Sequence, residues 1–235
     1  SIRSRSKPNP RKERRVLKNV SFVERDGRRN VATRNLIPGR QTYGESLLKI
    51  GGEEYRLWDP FRSKLAAAML KGLPIDVIRE GDRVLYLGTS TGTTSSHVSD
   101  IVGKSGLVFG VEMSSRVARE FVENVARTRM NVIPYVADAR NANSFTTLGR
   151  VDVLYCDIAQ QDQTEIAIEN CRVHLKKRGR LVLIVKARSI DVLASPKEIF
   201  KQEERKLASA GFTVEKVIEL DPYDKDHAII LALQQ

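Results

Sequence analysis

The sequence predicts an α/β fold with a doubly wound, mostly parallel sheet that follows a small β-rich segment. From residue 83 onward, short apolar runs rich in β-branched and aromatic residues alternate with amphipathic helical segments. The last two runs are joined only by LDPYDKD, which is too short for a crossover helix. Those two strands should therefore be antiparallel neighbours, and the sheet should be mixed.

The chain before residue 59 is predicted to form an arm and a small β domain. Residues 1–15 are polar, basic and proline-containing, which indicates an extended arm. Residues 16–58 contain two strand–turn–strand patterns, around Asp26-Gly27 and Gly51-Gly52.

A larger domain is predicted over residues 59–235. Asp59-Pro60 provides an N-cap and a first-turn proline for a helix that should end at Gly72. Seven strands should follow, near residues 83–87, 107–111, 132–136, 152–156, 180–186, 212–219 and 227–233. Four helices should lie between them, near residues 93–102, 115–128, 162–175 and 196–210.

Charge and composition restrict the functional classes. The chain has 235 residues, 41% of them hydrophobic, and a net charge of +11. Residues 1–40 hold 13 Lys and Arg against 3 Asp and Glu, so the basic charge is concentrated near the start, as expected of a surface that contacts RNA or another polyanion. A solubilising arm is the alternative.

Several features predict an intracellular protein. No run approaches the roughly 20 apolar residues of a membrane helix. No apolar signal segment follows the basic start, which predicts a cytoplasmic, prokaryotic-type protein. Two cysteines in a chain of this length favour a reducing compartment. No pattern of metal ligands is found.

Polar or glycine residues follow four consecutive predicted strands. They are Gly88, Glu112, the pair Asp138-Ala139 and the segment Asp157 to Gln160. In an open α/β sheet, ligands bind beyond the carboxyl ends of the strands. A glycine loop lets the backbone approach a ligand, and Glu112 can accept hydrogen bonds from both ribose hydroxyls. Together they predict a nucleoside cofactor, although the glycines could also be ordinary turn residues.

The loop argues for a particular cofactor. Its spacing, Gly88 to Gly92, is G-x-x-x-G and not the G-x-G-x-x-G of dinucleotide sites. The loop lacks the lysine of a phosphate-binding P-loop, and it offers threonine and serine hydroxyls instead. With an antiparallel last strand, this favours S-adenosylmethionine over a nicotinamide cofactor.

The same motifs carry a resemblance to a known family. The chain resembles fibrillarin, the 2′-O-methyltransferase of box C/D ribonucleoproteins, in its shorter archaeal form and from about residue 16 to the C-terminus. The matching segments are RLWDPFRSKLAAA, LYLGTSTGTTSSHVSDIVG, FGVEMSSR, YVADAR, YCDIAQQDQ, IVKARSID and DHAII. The resemblance implies a Rossmann-like methyltransferase fold and guide-directed methylation of rRNA and tRNA riboses.

The resemblance also implies cofactor contacts and partners. The cofactor-binding residues would be Gly88, Thr93, Thr94, Glu112, Met113, Asp138, Ala139, Asp157, Ile158, Ala159 and Gln160. The partners would be a box C/D guide RNA with its target RNA, a Nop-domain scaffold protein and a kink-turn-binding ribosomal-type protein. Because the net charge beyond residue 40 is close to zero, we expect the scaffold to supply most of the RNA affinity.

Four residues resemble the Lys-Asp-Lys-His set of ribose methyltransferases: Lys64, Asp157, Lys186 and His227. Lys186 would act as the base or orient the hydroxyl, and Asp157 would position Lys186. Lys64 would supply positive charge, and His227 would orient or relay the proton. Each has a structural alternative: a solvated strand-end lysine, a helix-capping aspartate, a surface lysine and a structural histidine.

Other residues near the motifs receive weaker roles. Arg62 and Arg188 are placed either to hold phosphates or to lie on the surface. His97 is predicted to be structural, and His174 to be a favourable cation near a helix end.

Three further functions remain open from the sequence. The first is a stand-alone methyltransferase acting on a base or a protein side chain; Asp157-Ile158-Ala159-Gln160 departs from the Asn/Asp-Pro-Pro-aromatic segment of many base methyltransferases. The second is a nicotinamide oxidoreductase, which the loop disfavours. The third is a non-catalytic scaffold of a ribonucleoprotein.

Overall fold

The computed structural model describes residues 19–235. The predicted basic arm, residues 1–15, and residues 16–18 of the predicted β-rich domain lie outside the described residues. No helix within 19–235 is both long and apolar enough to cross a membrane.

Strands and helices alternate through the larger part of the chain. The strands of the described region are β1 (Val20–Arg25), β2 (Arg28–Arg34), β3 (Leu47–Ile50), β4 (Glu53–Trp58), β5 (Arg83–Leu87), β6 (Leu107–Glu112), β7 (Val132–Val136), β8 (Val151–Cys156), β9 (Leu175–Lys186), β10 (Phe212–Glu219) and β11 (His227–Gln234). Its α-helices are α1 (Lys64–Leu70), α2 (Thr93–Val102), α3 (Ser115–Phe121), α4 (Gln163–His174), α5 (Ala187–Ile190) and α6 (Pro196–Ser209). A π-helical turn, Val122–Ala126, follows α3, and a 3₁₀ segment, Ala142–Leu148, precedes β8.

The large sheet has the predicted mixed topology. Its strand order is β10-β11-β9-β8-β5-β6-β7. The strands β5 to β9 pair in parallel, and β11 runs antiparallel to both β9 and β10. Because β6 and β7 extend the sheet on one side of β5 and β8 extends it on the other, the order reverses between β5 and β8. Ligand sites of open α/β sheets lie at such a reversal.

The small sheet contains the two hairpins that the sequence predicts. It has four antiparallel strands in the order β1-β2-β4-β3. Asp26 and Gly27 form the two-residue turn between β1 and β2, with φ of 51° and 69°. Positive φ at both positions matches the twist of the flanking strands. The predicted hairpins are therefore confirmed, while the division of the chain at residue 58 stays a prediction.

The first helix begins later than predicted. Asp59 accepts a hydrogen bond from Phe61 N at 2.8 Å, and Arg62 N donates to Asp59 O at 3.2 Å, so residues 59–62 form a turn. Ser63 is extended, with φ of −147°, and is the N-cap of α1. The prediction of an Asp59 cap was wrong, and the consequence is that Lys64 is the first residue of the helix.

Two other boundaries differ from the prediction. The helix predicted over residues 115–128 is α-helical only to Phe121 and then widens into the π-helical turn. β9 starts at Leu175, five residues before the predicted boundary, because Val151 already pairs with Leu175. The remaining predicted elements end within two residues of the observed ones.

Apolar side chains cover both faces of the large sheet. On one face the small sheet and α1 share a core with it, in which Val31 and Trp58 pack in one cluster with Leu65 and Tyr86. The opposite face packs against α4 and α6. The small sheet is thus held against the large one by a common core.

A buried ionic network crosses between the small sheet and α2. Arg56 of β4 donates from Nε to Glu45 at 2.5 Å and from Nη1 to Asp100 of α2 at 2.9 Å. Its Nη2 donates to Ser96 Oγ at 2.8 Å. The other carboxylate oxygen of Asp100 accepts a hydrogen bond from Arg129 at 2.6 Å. All four charged side chains are at most 2% exposed, so each depends on its partners in place of water.

His97 of α2 completes this network. Thr33 donates to Asp100 at 2.7 Å and contacts His97 Nδ1 at 2.7 Å. Since the Thr33 proton goes to Asp100, His97 donates from Nδ1, and its Nε2 accepts from Tyr43 OH at 2.6 Å. Burial, with Arg56 and Arg129 adding to it, holds the pKa of His97 well below its ordinary value. The predicted structural role of His97 is confirmed.

His174 differs from its predicted role. It is the last residue of α4, but it is buried, stacks on Phe145 with ring centroids 5.0 Å apart and contacts Ala142 O through Nε2 at 2.9 Å. Burial lowers the pKa of His174. A neutral ring is therefore favoured, and the helix-end cation predicted from the sequence is wrong.

We expect the free energy of unfolding to fall as the pH is lowered from about 6.5 to about 5. The unfolded chain takes up protons with a histidine pKa of about 6.5, whereas folded His97 and His174 resist protonation. Stability is then lost by up to about 1.4 kcal/mol per pH unit for each histidine. Urea unfolding at about pH 7, 6 and 5 measures this slope. The His174→Gln variant should have a shallower slope, and an unchanged slope would contradict the assignment.

Candidate active site

The predicted cofactor residues converge at one edge of the large sheet. Gly88, Glu112, Asp138 and Asp157 lie at, or one or two residues after, the carboxyl ends of β5, β6, β7 and β8. Gly88 and Asp157 lie on the two sides of the point where the strand order reverses, and Asp157 N donates to Leu87 O at 2.9 Å. The parallel pairing of these strands brings together residues that are up to 69 positions apart in the chain.

The loop glycines are required by contacts within the protein. A Cβ on Gly88 would lie 2.3 Å from Asp157 O, and a Cβ on Gly92 would lie 2.3 Å from Cγ2 of Val125. Both residues also have positive φ, +81° and +105°. The sequence interpretation assigned these glycines to close approach of a ligand. In the structure they allow the loop to pack against β8 and against the π-helical turn.

Replacing Gly88 with alanine is expected to lower the affinity for S-adenosylmethionine by about tenfold to a hundredfold, because overpacking costs about 1–3 kcal/mol and here displaces the backbone of Asp157. Gly39→Ala is the matched control. Gly39 has the same φ of +81°, but an added Cβ there would have no atom of residues 19–235 within 4 Å. Calorimetric titration measures the affinity of both variants for S-adenosylmethionine. Because both variants strain the backbone but only Gly88→Ala creates a clash, the difference between them reports the effect of the clash. Equal affinities in the two variants would contradict the prediction.

Glu112 is oriented by backbone amides. Its Oε2 accepts from Ser90 N and its Oε1 from Ser114 N, each at 3.1 Å. Each oxygen keeps a further lone pair, and the side chain lines a cavity. A carboxylate held in this way can accept hydrogen bonds from two neighbouring hydroxyls of a ribose.

A cavity of about 320 Å³ surrounds Glu112; we call it the Glu112 cavity. Met113, 57% exposed, and Ile158 provide apolar surface in it. Asp138 and Gln160 provide polar groups, and Arg140 holds the Gln160 side chain at 2.7 Å. Its remaining lining residues include Gly88, Ala139, Asp157, Ala159 and Lys186. This combination of apolar walls and a few polar groups is typical of a nucleoside site.

A second cavity of about 210 Å³ adjoins it; we call it the Lys64 cavity. It contains Lys64, Thr93, Thr94 and Asp224, and it shares Asp157 with the Glu112 cavity. The first intrahelical bond of α2 runs from Ser96 N to Gly92 O, so the preceding amides, including those of Thr93 and Thr94, lie before the hydrogen-bonded turns. These amides suit the carboxylate of an amino-acid moiety.

The two cavities fit S-adenosylmethionine as a pair. One offers an oriented carboxylate and apolar walls for a nucleoside, and the other offers a helix N-terminus for an amino-acid group. Asp157 stands where they meet. Every cofactor-binding residue predicted from the sequence lines at least one of the two cavities.

Three of the four predicted catalytic residues form a chain of alternating charge. Lys186 Nζ lies 2.8 Å from Asp157 Oδ1, and Lys64 Nζ lies 3.4 Å from Asp157 Oδ2. The side chains are 15–23% exposed, so the pairs are partly screened from water and still accessible from the cavities. Two ammonium groups thus share one carboxylate at the boundary of the cavities.

His227 is connected to these charged side chains through Asp224, a residue that the sequence did not indicate. Asp224 Oδ1 lies 3.0 Å from His227 Nδ1, and Asp224 Oδ2 lies 3.7 Å from Lys64 Nζ. Asp224 lies in the turn between β10 and β11, three residues before His227. That spacing of an acid and a histidine in a short turn was the only available signal.

Secondary structure places these side chains. Lys186 is the last residue of β9, and His227, the first of β11, is its antiparallel partner. Directly opposed residues lie on the same face of the sheet, with Cβ atoms about 5 Å apart. Lys64 approaches from the start of α1, which the turn at residues 59–62 directs toward Asp157.

The two arginines beside the site, Arg62 and Arg188, differ in the contacts that they make within the protein. Arg188 pairs with Asp226 at 3.0 Å and donates to Val192 O at 2.8 Å, so it holds the loop before α6. Arg62 is exposed, lies 4.7 Å from the Tyr43 ring centroid and lines the Lys64 cavity. Of the two, Arg62 is better placed to meet a phosphate.

The thiol next to Asp157 is not a nucleophile. Cys156 is fully buried, and burial raises its pKa to about 12. Cys171 is also buried and free, and burial raises its pKa well above the ordinary value. Since a thiolate is the reactive form, the chemistry of the site rests on amines, carboxylates and an imidazole.

Known proteins are similar to this chain over most of its length. The model of the fibrillarin family matches residues 11–235. A fibrillarin-like rRNA/tRNA 2′-O-methyltransferase of Saccharolobus islandicus is 54% identical over 208 residues, which are 88% of this chain and 89% of that protein.

Solved structures of similar chains agree with the fold. Fibrillarin of Aeropyrum pernix, solved with natively bound S-adenosyl-L-methionine, is 43% identical with a TM-score of 0.81, over 92% of this chain and 100% of that one. A fibrillarin from a fibrillarin/Nop5p complex is 38% identical with a TM-score of 0.82, over 93% of this chain and 98% of that one.

Proposed function

This chain belongs to the fibrillarin family, and we propose on that basis that it is an RNA 2′-O-methyltransferase. It transfers the methyl group of S-adenosylmethionine to ribose 2′-hydroxyls of pre-rRNA and tRNA. A box C/D guide RNA selects the target nucleotide within a ribonucleoprotein. The relatives named for this activity in Saccharolobus are archaeal, which supports action in the cytoplasm.

The observation that carries the proposal is the shared carboxylate of Asp157. Lys186 and Lys64 contact its two oxygens, and Asp157 also lines both the Glu112 cavity and the Lys64 cavity. A cofactor that occupies both cavities would have its sulfonium, which links the nucleoside to the amino-acid group, next to this cluster. A site of this kind suits an oxygen nucleophile that must be aligned and lose a proton.

The cofactor, when bound, supplies a methyl group on a sulfonium, which is already a good leaving group. The protein then has two tasks, aligning the hydroxyl and taking its proton. Alignment contributes several kcal/mol to such reactions, and general-base assistance contributes about 10²–10⁴ in rate.

We assign the four residues as follows. An ion pair with Asp157 holds the Lys186 ammonium at 2.8 Å, and the protons of the ammonium orient the ribose oxygen. Because Lys186 is held by a carboxylate, it acts as a hydrogen-bond donor to the oxygen, and this favours orientation over proton abstraction. Lys64 binds the RNA backbone through its positive charge, and His227 accepts the proton.

The cofactor contacts follow the two cavities. Glu112 binds the ribose hydroxyls, and Met113 and Ile158 enclose the adenine. Asp138 accepts from the base amino group beside Ala139. Thr93 and Thr94, at the start of α2, bind the amino-acid end.

The proposed partners are a guide RNA with its target, a Nop-domain scaffold protein and a kink-turn-binding ribosomal-type protein. The solved complex of a 38% identical fibrillarin with Nop5p supports the scaffold. Guide pairing would select the target, which is in keeping with a chain of only 6% aromatic residues.

Methyl transfer from radiolabelled S-adenosylmethionine to a guide-matched RNA tests the proposal. The chain is assayed alone and with scaffold, kink-turn protein and guide RNA. We expect label at one 2′-hydroxyl, and only in the complete mixture. Label without partners would indicate a stand-alone methyltransferase. No label despite cofactor binding and assembly would indicate a non-catalytic scaffold or another substrate.

A further inference from the structure

Asp224 connects two of the residues to which the proposed reaction assigns roles. Its two carboxylate oxygens face different partners, His227 Nδ1 at 3.0 Å and Lys64 Nζ at 3.7 Å. The full chain of contacts therefore runs from Lys186 through Asp157, Lys64 and Asp224 to His227. Basic and acidic side chains alternate along it.

The surroundings of His227 determine which of its nitrogens carries the proton. Nδ1 is 2.7 Å from the carbonyl oxygen of Lys225 as well as 3.0 Å from Asp224. Both neighbours are acceptors, so Nδ1 must donate. Within residues 19–235, Nε2 has no hydrogen-bond partner, and it is the nitrogen left with a free lone pair.

We propose that Asp224 is a positioning residue of this site, which fixes the tautomer of His227 so that Nε2 accepts the proton of the ribose hydroxyl. The proposal rests on the function proposed above. Lys225 O is a neutral acceptor, whereas the Asp224 carboxylate is charged and stabilises the proton on Nδ1 further. The carboxylate adds a counter-charge for the imidazolium that forms when the proton arrives.

The step transfers a methyl group and a proton. The ribose oxygen forms a bond to the methyl carbon as the carbon–sulfur bond breaks, and the electron pair of that bond remains on sulfur. The hydroxyl proton passes to Nε2. The positive charge that was on the sulfonium ends on the imidazolium, where Asp224 lies 3.0 Å away.

Lys64 lies between two carboxylates. Its ammonium lies between Asp157 at 3.4 Å and Asp224 at 3.7 Å. Removing the Asp224 charge leaves the Asp157 contact, so Lys64 should stay in the cavity. The loss of Asp224 should therefore act mainly through His227.

The Asp224→Asn variant tests the proposal by a readout that does not depend on activity. Nitrogen NMR of ¹⁵N-histidine-labelled protein, at a pH of about 8.5 where a free imidazole is neutral, distinguishes the two tautomers. Only three histidines are present, and His227→Gln identifies the signals of interest. We expect the Nδ1–H tautomer in the wild type and a mixture of tautomers in Asp224→Asn. A wild-type Nε2–H tautomer, or an unchanged ratio in the variant, would overturn the proposal.

Kinetics of the assembled ribonucleoprotein give the second test. We expect kcat of Asp224→Asn to fall about tenfold to a hundredfold, part of the roughly 10²–10⁴ that a general base supplies, with the KM for S-adenosylmethionine unchanged. Asp224→Glu should recover part of the loss. Asp221→Asn, an equal loss of charge at an exposed position of the same turn, is the control and should match the wild type.

The two proposals fail in different ways. An inactive wild-type ribonucleoprotein would contradict the proposed function but leave the tautomer experiment intact. An active wild type with a fully active Asp224→Asn variant would contradict the role of Asp224 alone. Circular dichroism and cofactor titration of each variant show that the chain is folded.

Discussion

Replacing Lys186 with alanine is expected to lower kcat for RNA methylation by about 10²–10⁴, because the hydroxyl loses its orienting donor and Asp157 loses a counter-charge. Among the described cations, the Asp157 carboxylate would keep only Lys64, at 3.4 Å, and lose Lys186, at 2.8 Å. The affinity for S-adenosylmethionine should change little, since Glu112 and the start of α2 remain in place. Single-turnover methylation by the assembled ribonucleoprotein, with calorimetric cofactor titration, measures both quantities.

The same strand offers a matched control. Lys176 lies near the other end of β9 and pairs with Asp152 of β8 at 2.7 Å, just as Lys186 pairs with the aspartate that follows β8. Lys176→Ala therefore removes a similar ion pair far from the cavities and should keep wild-type turnover. Full turnover of Lys186→Ala with intact cofactor binding would show that Lys186 does not take part in the reaction.

Replacing Arg56 with methionine is expected to lower the free energy of unfolding by about 3–5 kcal/mol, since breaking a buried ion pair leaves uncompensated charge. The guanidinium contacts Glu45, Asp100 and Ser96, and its side chain is fully buried. Without it, Asp100 keeps Arg129 and Thr33, whereas within residues 19–235 the Glu45 carboxylate keeps only backbone amides such as Tyr43 N.

Arg34→Met is the control for Arg56→Met. Arg34 lies in the same small sheet and pairs with Glu53 at 2.7 Å, but both side chains are about half exposed. Exposed pairs contribute about 0–1 kcal/mol, so this variant should unfold near the wild-type urea midpoint. A loss below about 1 kcal/mol in Arg56→Met would mean that the network stabilises the fold no more than a surface pair does. Adding Glu45→Gln to Arg56→Met should restore part of the stability.

The sequence predicted the mixed sheet and the polar and glycine residues at its strand ends because both depend on local patterns. Apolar runs and amphipathic periods define strands and helices within a few residues. Once the strands are known to be parallel, residues such as Gly88, Glu112 and Asp157 must meet at one sheet edge. The antiparallel last strand followed in the same way from the length of a seven-residue connection.

Contacts between distant segments could not be predicted in this way. The Arg56–Asp100 pair joins residues 44 positions apart, and nothing near either residue indicates the other. Gly88 must be a glycine because Asp157 lies so close to it. The G-x-x-x-G pattern does not indicate this contact. The N-cap of α1 is Ser63, whereas the sequence predicted Asp59. The reason is that the Asp59 side chain accepts a hydrogen bond within a separate turn before the helix.

By itself, the sequence determined the fold class, the seven-stranded mixed sheet and which residues lie at its strand ends, since hydrophobic periodicity and turn chemistry act over a few neighbouring residues. The tertiary structure alone decided how the charges are paired. In it, Asp224 lies between Lys64 and His227, Arg188 forms an ion pair with Asp226, and His174 is buried as a neutral ring. The physical reason is that the energy of a charge depends on its distance to other charges and on the water removed around it, and both are set only when distant segments pack together.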